Sequence, residues 1–149
     1  MKWFRSMKNR EGGQALVEFS LVSIVFFLIV FGMIDVGRAV WNYNTLAHAT
    51  REGARYAIVH GGDSIDPSGP GSAYYTAPDT DTKVTETVQQ FAGGLNTSQL
   101  TVQAQWPDGT NVAGDDVTVT LQYVYEPMFD FLGLIAFTMT SSSTMEITN

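Results

Sequence analysis

The chain has 149 residues, 44% of them hydrophobic and 15% charged, with no cysteine and a formal net charge of -7. That length accommodates one membrane segment and one small folded domain and excludes a two-core enzyme; the absence of thiols excludes disulfides, thiolate chemistry and cysteine-ligated zinc. The charge is uneven, because Lys2, Arg5, Lys8 and Arg10 precede Gln14 against Glu11 alone, whereas beyond Val59 only Lys83 offsets acids that include Asp63, Asp66, Asp79, Asp81, Asp115 and Asp116.

A basic head over residues 1–13 leads into an apolar run from Ala15 to Ile34 in which Glu18 is the one charged residue. The run has the roughly 20 residues needed to cross the hydrocarbon core as a helix, and a membrane span is expected over residues 14–35. The positive-inside rule then keeps the basic end in the cytoplasm of a single-pass inner-membrane protein and places the acidic C-terminal domain outside. A secretory signal peptide is the competing reading, with Gly37-Arg38-Ala39 imitating a cleavage site; the length of the run favours retention. The same acidic balance argues against nucleic acid, whose phosphates call for clustered Lys and Arg.

Helical spacing continues past the membrane over residues 36–60. Val36, Val40, Tyr43, Ala47, Thr50, Ala54 and Ala57 recur at intervals of four and three, the pattern of one helix face. Arg38, Asn42, Thr45, Glu52 and Arg55 lie on the other side, and Asp35 and Arg38 are spaced for an ion pair. One helix is therefore expected from about Gln14 to about Val59, with Gly32 and Gly37 as places for a bend. Outside lipid, such a helix needs its seam packed on its own domain or on neighbouring subunits.

Residues 61–78 are rich in Gly, Pro and Ser and read as a linker. In residues 79–149 a small exported domain follows. Asp79 is a candidate N-cap for a short helix, Val84, Val88 and Phe91 share a face of it, and Gly93 and Gly94 end it. Leu100, Val102 and Ala104 alternate with polar residues, as do Val117, Val119, Leu121, Tyr123 and Tyr125, so a hairpin about the 107–114 turn is expected. Pro127 ends the second strand before an apolar loop with Met128, Phe129, Phe131 and Leu132. Phe137, Met139, Ser141, Ser143, Met145 and Ile147 alternate as a last strand. The sum is an α+β fold with a long N-terminal helix, a short helix and an antiparallel sheet of about three strands, in which the long helix supplies the apolar partner the sheet lacks.

Gly13, Gln14, Glu18 at the fifth position after the junction, and the apolar helix together resemble a prepilin or pseudopilin leader of the type IV pilin-like superfamily. Gln14-Ala15-Leu16-Val17-Glu18-Phe19, with Arg51-Glu52-Gly53-Ala54-Arg55-Tyr56-Ala57, is similar more narrowly to the TadE-like family, minor pilins of the tight-adherence (type IVc) pilus. The segment from Asp116 to Tyr125, Glu126-Pro127 and the apolar loop also resemble the family's last strands. The resemblance implies cleavage between Gly13 and Gln14 by a prepilin peptidase, assembly with other pilin subunits and the pilus assembly platform, and a hetero-oligomeric filament at the cell surface that serves adhesion or secretion.

The residues can be weighed chemically. Gly13 lacks a Cβ and lets a peptidase approach the backbone. Glu18 lies one helical turn beyond Gln14, so its carboxylate reaches a new amine at Gln14 in the same or an adjacent subunit; the alternative is a solvated carboxylate at the membrane interface, favoured by the helix dipole. Phe19 belongs to the same assembly segment. Arg51, Glu52 and Arg55 fit a solvated helix face as readily as a docking surface, with Tyr56 beside them. Gly53 inside a helix costs about 1 kcal/mol relative to alanine, which calls for a close neighbour: a second subunit or the short helix. His48 and His60 belong to no triad or metal spacing, and no cofactor, metal or catalytic residue is assigned; an enzyme is not expected. Asp63 to Asp66 and Asp79-Thr80-Asp81 invite a calcium reading but lack EF-hand order, so solvated loop acids are the default. Asn96-Thr97-Ser98 matches a glycosylation sequon. Trp106, Tyr123, Tyr125, Phe129 and Phe131 suit either an adhesive surface or a sheet core. A structural minor pilin is the expectation; an uncleaved, membrane-anchored binding module is the alternative.

Overall fold

A computed structural model of the chain describes residues 10–69, 72–76, 83–129 and 136–148, with residues 10–12 and 72–76 described by their backbone alone. Helix α1 (Arg10–Val59) runs for 50 residues, about 75 Å at 1.5 Å per residue. It continues through Gly32 and Gly37, where an added Cβ would meet only open space. Its hydroxyl side chains are satisfied within the helix: Ser20 Oγ donates to the Leu16 carbonyl at 2.7 Å and Thr50 Oγ1 to that of Leu46 at 2.7 Å. A polar group that returns its hydrogen bond to the preceding turn can be carried through an apolar environment.

The first half of α1 is bare. Leu16, Phe19, Leu21, Val22, Ile24, Val25, Phe26 and Ile29 are all exposed, and no residue of its most apolar stretch is buried. A surface of that kind needs lipid or other helices around it. The helix is long and apolar enough to cross a membrane.

The second half of α1 is the spine of the folded domain. Strand β1 (Ser72–Thr76), helix α2 (Lys83–Phe91) and strands β2 (Leu100–Gln105), β3 (Asp116–Tyr125) and β4 (Phe137–Glu146) follow. All strand pairs are antiparallel, in the order β1-β2-β3-β4. The expected hairpin is formed, with Leu100 opposite Tyr123 and Gln105 opposite Thr118; Gly109 and Gly114 take left-handed backbone in the intervening loop. Period-two patterning sorts the faces. Leu100, Val102, Ala104, Val117, Val119, Leu121, Tyr123, Tyr125 and Met139 point into the core. The outer face is polar, with Thr118 against Thr144 at 2.8 Å and Thr120 against Ser142 at 2.9 Å.

Against this sheet α1 lays small residues, Ala49, Thr50, Gly53, Ala54 and Ala57, around one fully buried large side chain, Leu46. Small side chains let the helix axis lie close to its neighbours. Val84 and Val88 of α2, with Ala92 just beyond its end, close the core from the side, and Gly94, with a left-handed backbone, turns the chain beneath the Trp41 indole. Trp106 is buried with its Nε1 donating to Asn111 Oδ1 at 3.1 Å. Burial assigns Trp106, Tyr123 and Tyr125 to the core and not to an adhesive surface; Phe131 lies outside the described residues.

Two expectations are corrected. The 61–78 segment is not linker throughout, because β1 pairs with β2 at the sheet edge, Ser72 opposite Gln105 and Thr76 opposite Thr101, giving four strands where about three were expected. Its Gly and Pro content concealed a five-residue strand. The seam of α1 is also rotated just beyond the apolar run: Val36, Val40 and Tyr43 are exposed, whereas Asp35 and Asn42 are buried. Farther out the seam holds at Thr50, Ala54 and Ala57. Apolarity misleads just beyond the apolar run because there Tyr125, Met128 and Phe129 present hydrogen-bond donors to Asp35. The candidate N-cap Asp79 lies outside the described residues.

Candidate functional site

Gly13, Gln14, Glu18 and Phe19 all lie in α1 within its first turns, and all four are exposed. Nothing stands within 4 Å of the position a Cβ would take on Gly13. Glu18 faces outward among Leu16, Val17, Leu21 and Val22, and no ion pair involves it among the described residues. A carboxylate on an apolar helix surface is costly in lipid, about 2.5 to 3.5 kcal/mol at the bilayer centre and less near the boundary. Its position therefore creates a demand for a cationic group that this subunit's described residues do not meet.

The Arg51–Ala57 block divides into two faces. Arg51 and Arg55 are exposed, and Arg55 reaches Glu52 at 3.8 Å, a surface pair worth little. Gly53 and Ala54 face the core. A Cβ on Gly53 would lie 2.7 Å from Val88 Cγ2 and 3.5 Å from Val119 Cγ1, so the close neighbour demanded by this glycine is α2, with β3 behind it. Tyr56 stacks on His60, ring centroids 3.9 Å apart, and His60 Nδ1 sits 2.9 Å from the Tyr56 carbonyl. Burial, with the Glu86 carboxylate adding to it, pushes the Tyr56 phenol above its ordinary value.

The junction between the apolar half of α1 and the sheet contains a cluster that sequence reasoning missed. Asp35 is 8% exposed, and its two carboxylate oxygens accept the backbone N–H groups of Met128 and Phe129, each at 3.0 Å. Its carbonyl accepts the Tyr125 hydroxyl at 2.9 Å, and Arg38 Nη1 approaches Oδ1 at 3.5 Å, the one contact in the cluster that spacing foretold. Arg38 also lies over the Tyr125 ring, 5.8 Å from its centroid. One turn back toward the N-terminus of α1, Phe31 stacks on Phe129 with centroids 4.5 Å apart. Burial raises the Tyr125 phenol above its ordinary value; Arg38 works against that shift, while Asp35 and Tyr123 add to it. The signal in the sequence was a lone acid at the exit of an apolar run, read only as half of a local ion pair.

The remaining candidates have local accounts. His48 packs near Phe91 with the rings tilted by 36° and their centroids 5.7 Å apart. Asp66 pairs with Lys83, which consumes one of the loop acids; Asp79 and Asp81 lie outside the described residues. No group of three or more His, Asp or Glu arranged to hold a metal occurs among the described residues. Asn96 Oδ1 accepts from the Ser98 N–H at 3.2 Å and from its hydroxyl at 2.8 Å, a turn that accounts for both ends of the sequon.

A bare apolar helix fused to a four-stranded α+β domain, with Glu18 outward at the start of its apolar run, defines a pilin-like arrangement. Residues 13–55 match the family model described as TadE-like protein, a segment that holds Gln14–Phe19 and the Arg51–Arg55 part of the second block. A TadE-like segment suggests a protein associated with tight-adherence pili. No curated protein and no solved structure matches the chain.

Proposed function

We propose that this chain is a minor pilin or pseudopilin of a tight-adherence pilus, cut between Gly13 and Gln14 by a prepilin peptidase, and that its work is assembly and not catalysis. The observation that carries this reading is Glu18: the one charged residue in the apolar run from Ala15 to Ile34 of α1, one turn beyond Gln14, inside the TadE-like segment. In the inner membrane the basic head lies in the cytoplasm and the sheet domain outside. Cleavage supplies a positive amine at Gln14. Extraction into a filament then exchanges lipid contacts along Leu16–Ile34 for helix contacts, and the amine, from the same or a neighbouring subunit, meets the Glu18 carboxylate where water is scarce and the pairing is strong.

Other pilin subunits and the assembly platform are the partners this requires, in a hetero-oligomeric filament whose role is initiation, adhesion or secretion. The intact mass of the protein purified from its own host tests the proposal. A start at Gln14 is expected; a start at Met1 overturns it in favour of an uncleaved membrane-anchored binding module, and a start at Val40 in favour of a secreted domain.

A further inference from the structure

Phe129 stacks on Phe31, and Phe31 lies three residues inside the end of the apolar run at Ile34, about 4.5 Å by helical rise. If α1 spans the bilayer, as the proposed function requires, the ring of Phe129 is at the same depth as Phe31 and within the margin of the hydrocarbon. We propose that the Pro127–Phe129 turn and the adjoining end of the sheet form a second membrane contact, seated in the outer leaflet beside α1, with lipid as the occupant of that surface.

Three observations besides the stack support the placement. Backbone N–H groups near hydrocarbon must be satisfied internally, since an unpaired one costs several kcal/mol there. The two donors nearest Phe129, its own N–H and that of Met128, are both taken by the Asp35 carboxylate, which explains why an acid is buried at the exit of the span. The surface is also apolar where it meets the membrane. Val124, Met128 and Phe137 are exposed large apolar side chains at one end of the sheet, the end at which Tyr125 pairs with Phe137 and bonds to Asp35. Finally, the residues one turn above are those of a headgroup layer. The Tyr125 hydroxyl sits at Asp35, and Arg38, about 6 Å beyond Ile34 by helical rise, holds a half-exposed guanidinium over it.

The chain has no cysteine, so single-cysteine variants can be spin-labelled without altering the background. The full chain is reconstituted in vesicles of phosphatidylethanolamine and phosphatidylglycerol, and collisions of the label with oxygen and with a water-soluble nickel chelate are compared. Phe26→Cys is the reference for the bilayer interior and Val112→Cys, on an exposed loop of the domain, the reference for water. A label at Phe129→Cys is expected to lose nickel collisions and gain oxygen collisions, as at Phe26→Cys. Met128→Cys, whose side chain is exposed and makes no part of the stack, repeats the test and is expected between the two references. Nickel access at Phe129→Cys and Met128→Cys equal to that at Val112→Cys, with Phe26→Cys shielded, overturns the inference while leaving the membrane span intact. Shielding from both oxygen and nickel means that protein, a second copy of the chain, covers the site, and overturns it as well. Nickel access at Phe26→Cys removes the span itself, and the inference with it.

Discussion

Gly53→Ala tests whether α1 and α2 are as close as the packing of the domain requires. Two effects oppose each other. Alanine stabilises a helix interior by about 1 kcal/mol over glycine. The new methyl, however, would stand 2.7 Å from Val88 Cγ2, whereas carbon atoms in contact prefer about 3.5 to 4.0 Å. Val88 is fully buried, and a β-branched side chain in a helix has one strongly preferred rotamer, so its methyl cannot swing aside freely. Relief must come from displacement of α2, at the roughly 1 to 3 kcal/mol typical of an overpacked core. The single variant should therefore be destabilised by about 1 kcal/mol net. The sign should reverse in a Val88→Ala background, where the obstructing methyl is gone and only the helical gain of up to about 1 kcal/mol remains. Denaturant unfolding of the full chain in detergent micelles, followed by tryptophan fluorescence, measures all four corners of the cycle. A stabilising Gly53→Ala in the native background, with no coupling to Val88, would refute the reasoning.

Glu18→Ala should leave the folded domain and its membrane insertion unchanged while reducing filament formation in the host, scored by piliated cells against total protein; unchanged piliation would remove Glu18 from assembly. Asp35→Ala should orphan two N–H groups and lower stability by about 1 to 3 kcal/mol, with hydrogen exchange at the Met128 and Phe129 amides accelerated before any other site. At alkaline pH the raised phenols of Tyr125 and Tyr56 bind protons that the unfolded chain has released, so stability is full below the ordinary tyrosine value of 10.0 and falls as pH rises above it. Tyr125→Phe should flatten part of that decline in denaturant titrations across the alkaline range, at the expense of the hydrogen bond to the Asp35 carbonyl.

Legibility in the sequence followed periodicity. The long apolar run, the hairpin and the last strand announce themselves through spacing, and Leu100 to Ala104, Val117 to Tyr125 and Met139 are buried as their alternation required. Gly53 was readable as a close approach because glycine in a helix has a known penalty; which neighbour it met was decided only by the fold. What spacing could not give were contacts made by polar groups across long stretches of chain. Asp35 and Met128 are far apart in sequence, and a carboxylate accepting backbone N–H groups leaves no pattern at the accepting end. Asn42, expected outward, is buried, and β1 was hidden by a composition that describes turns. Glu18 stood out in the sequence and makes no ion pair among the described residues; the proposed assembly is what would give it a partner.

The strand nearest the C-terminus has a mechanical consequence. β4 begins opposite Tyr125, close to Asp35, and its end is held at the far end of α1, where the Thr148 N–H donates to the Ile58 carbonyl at 3.3 Å. Helix and strand thus point the same way, with the sheet tied to α1 at one end through Tyr125 of β3 and the Met128 and Phe129 amides, at the other through Thr148, and with β4 and β3 packed along α1 between. A pull along the helix axis loads that whole contact in shear, so its bonds share the force and must fail together, instead of one after another as in a peeled hairpin. A subunit drawn out of a bilayer by its helix would bring its domain along intact.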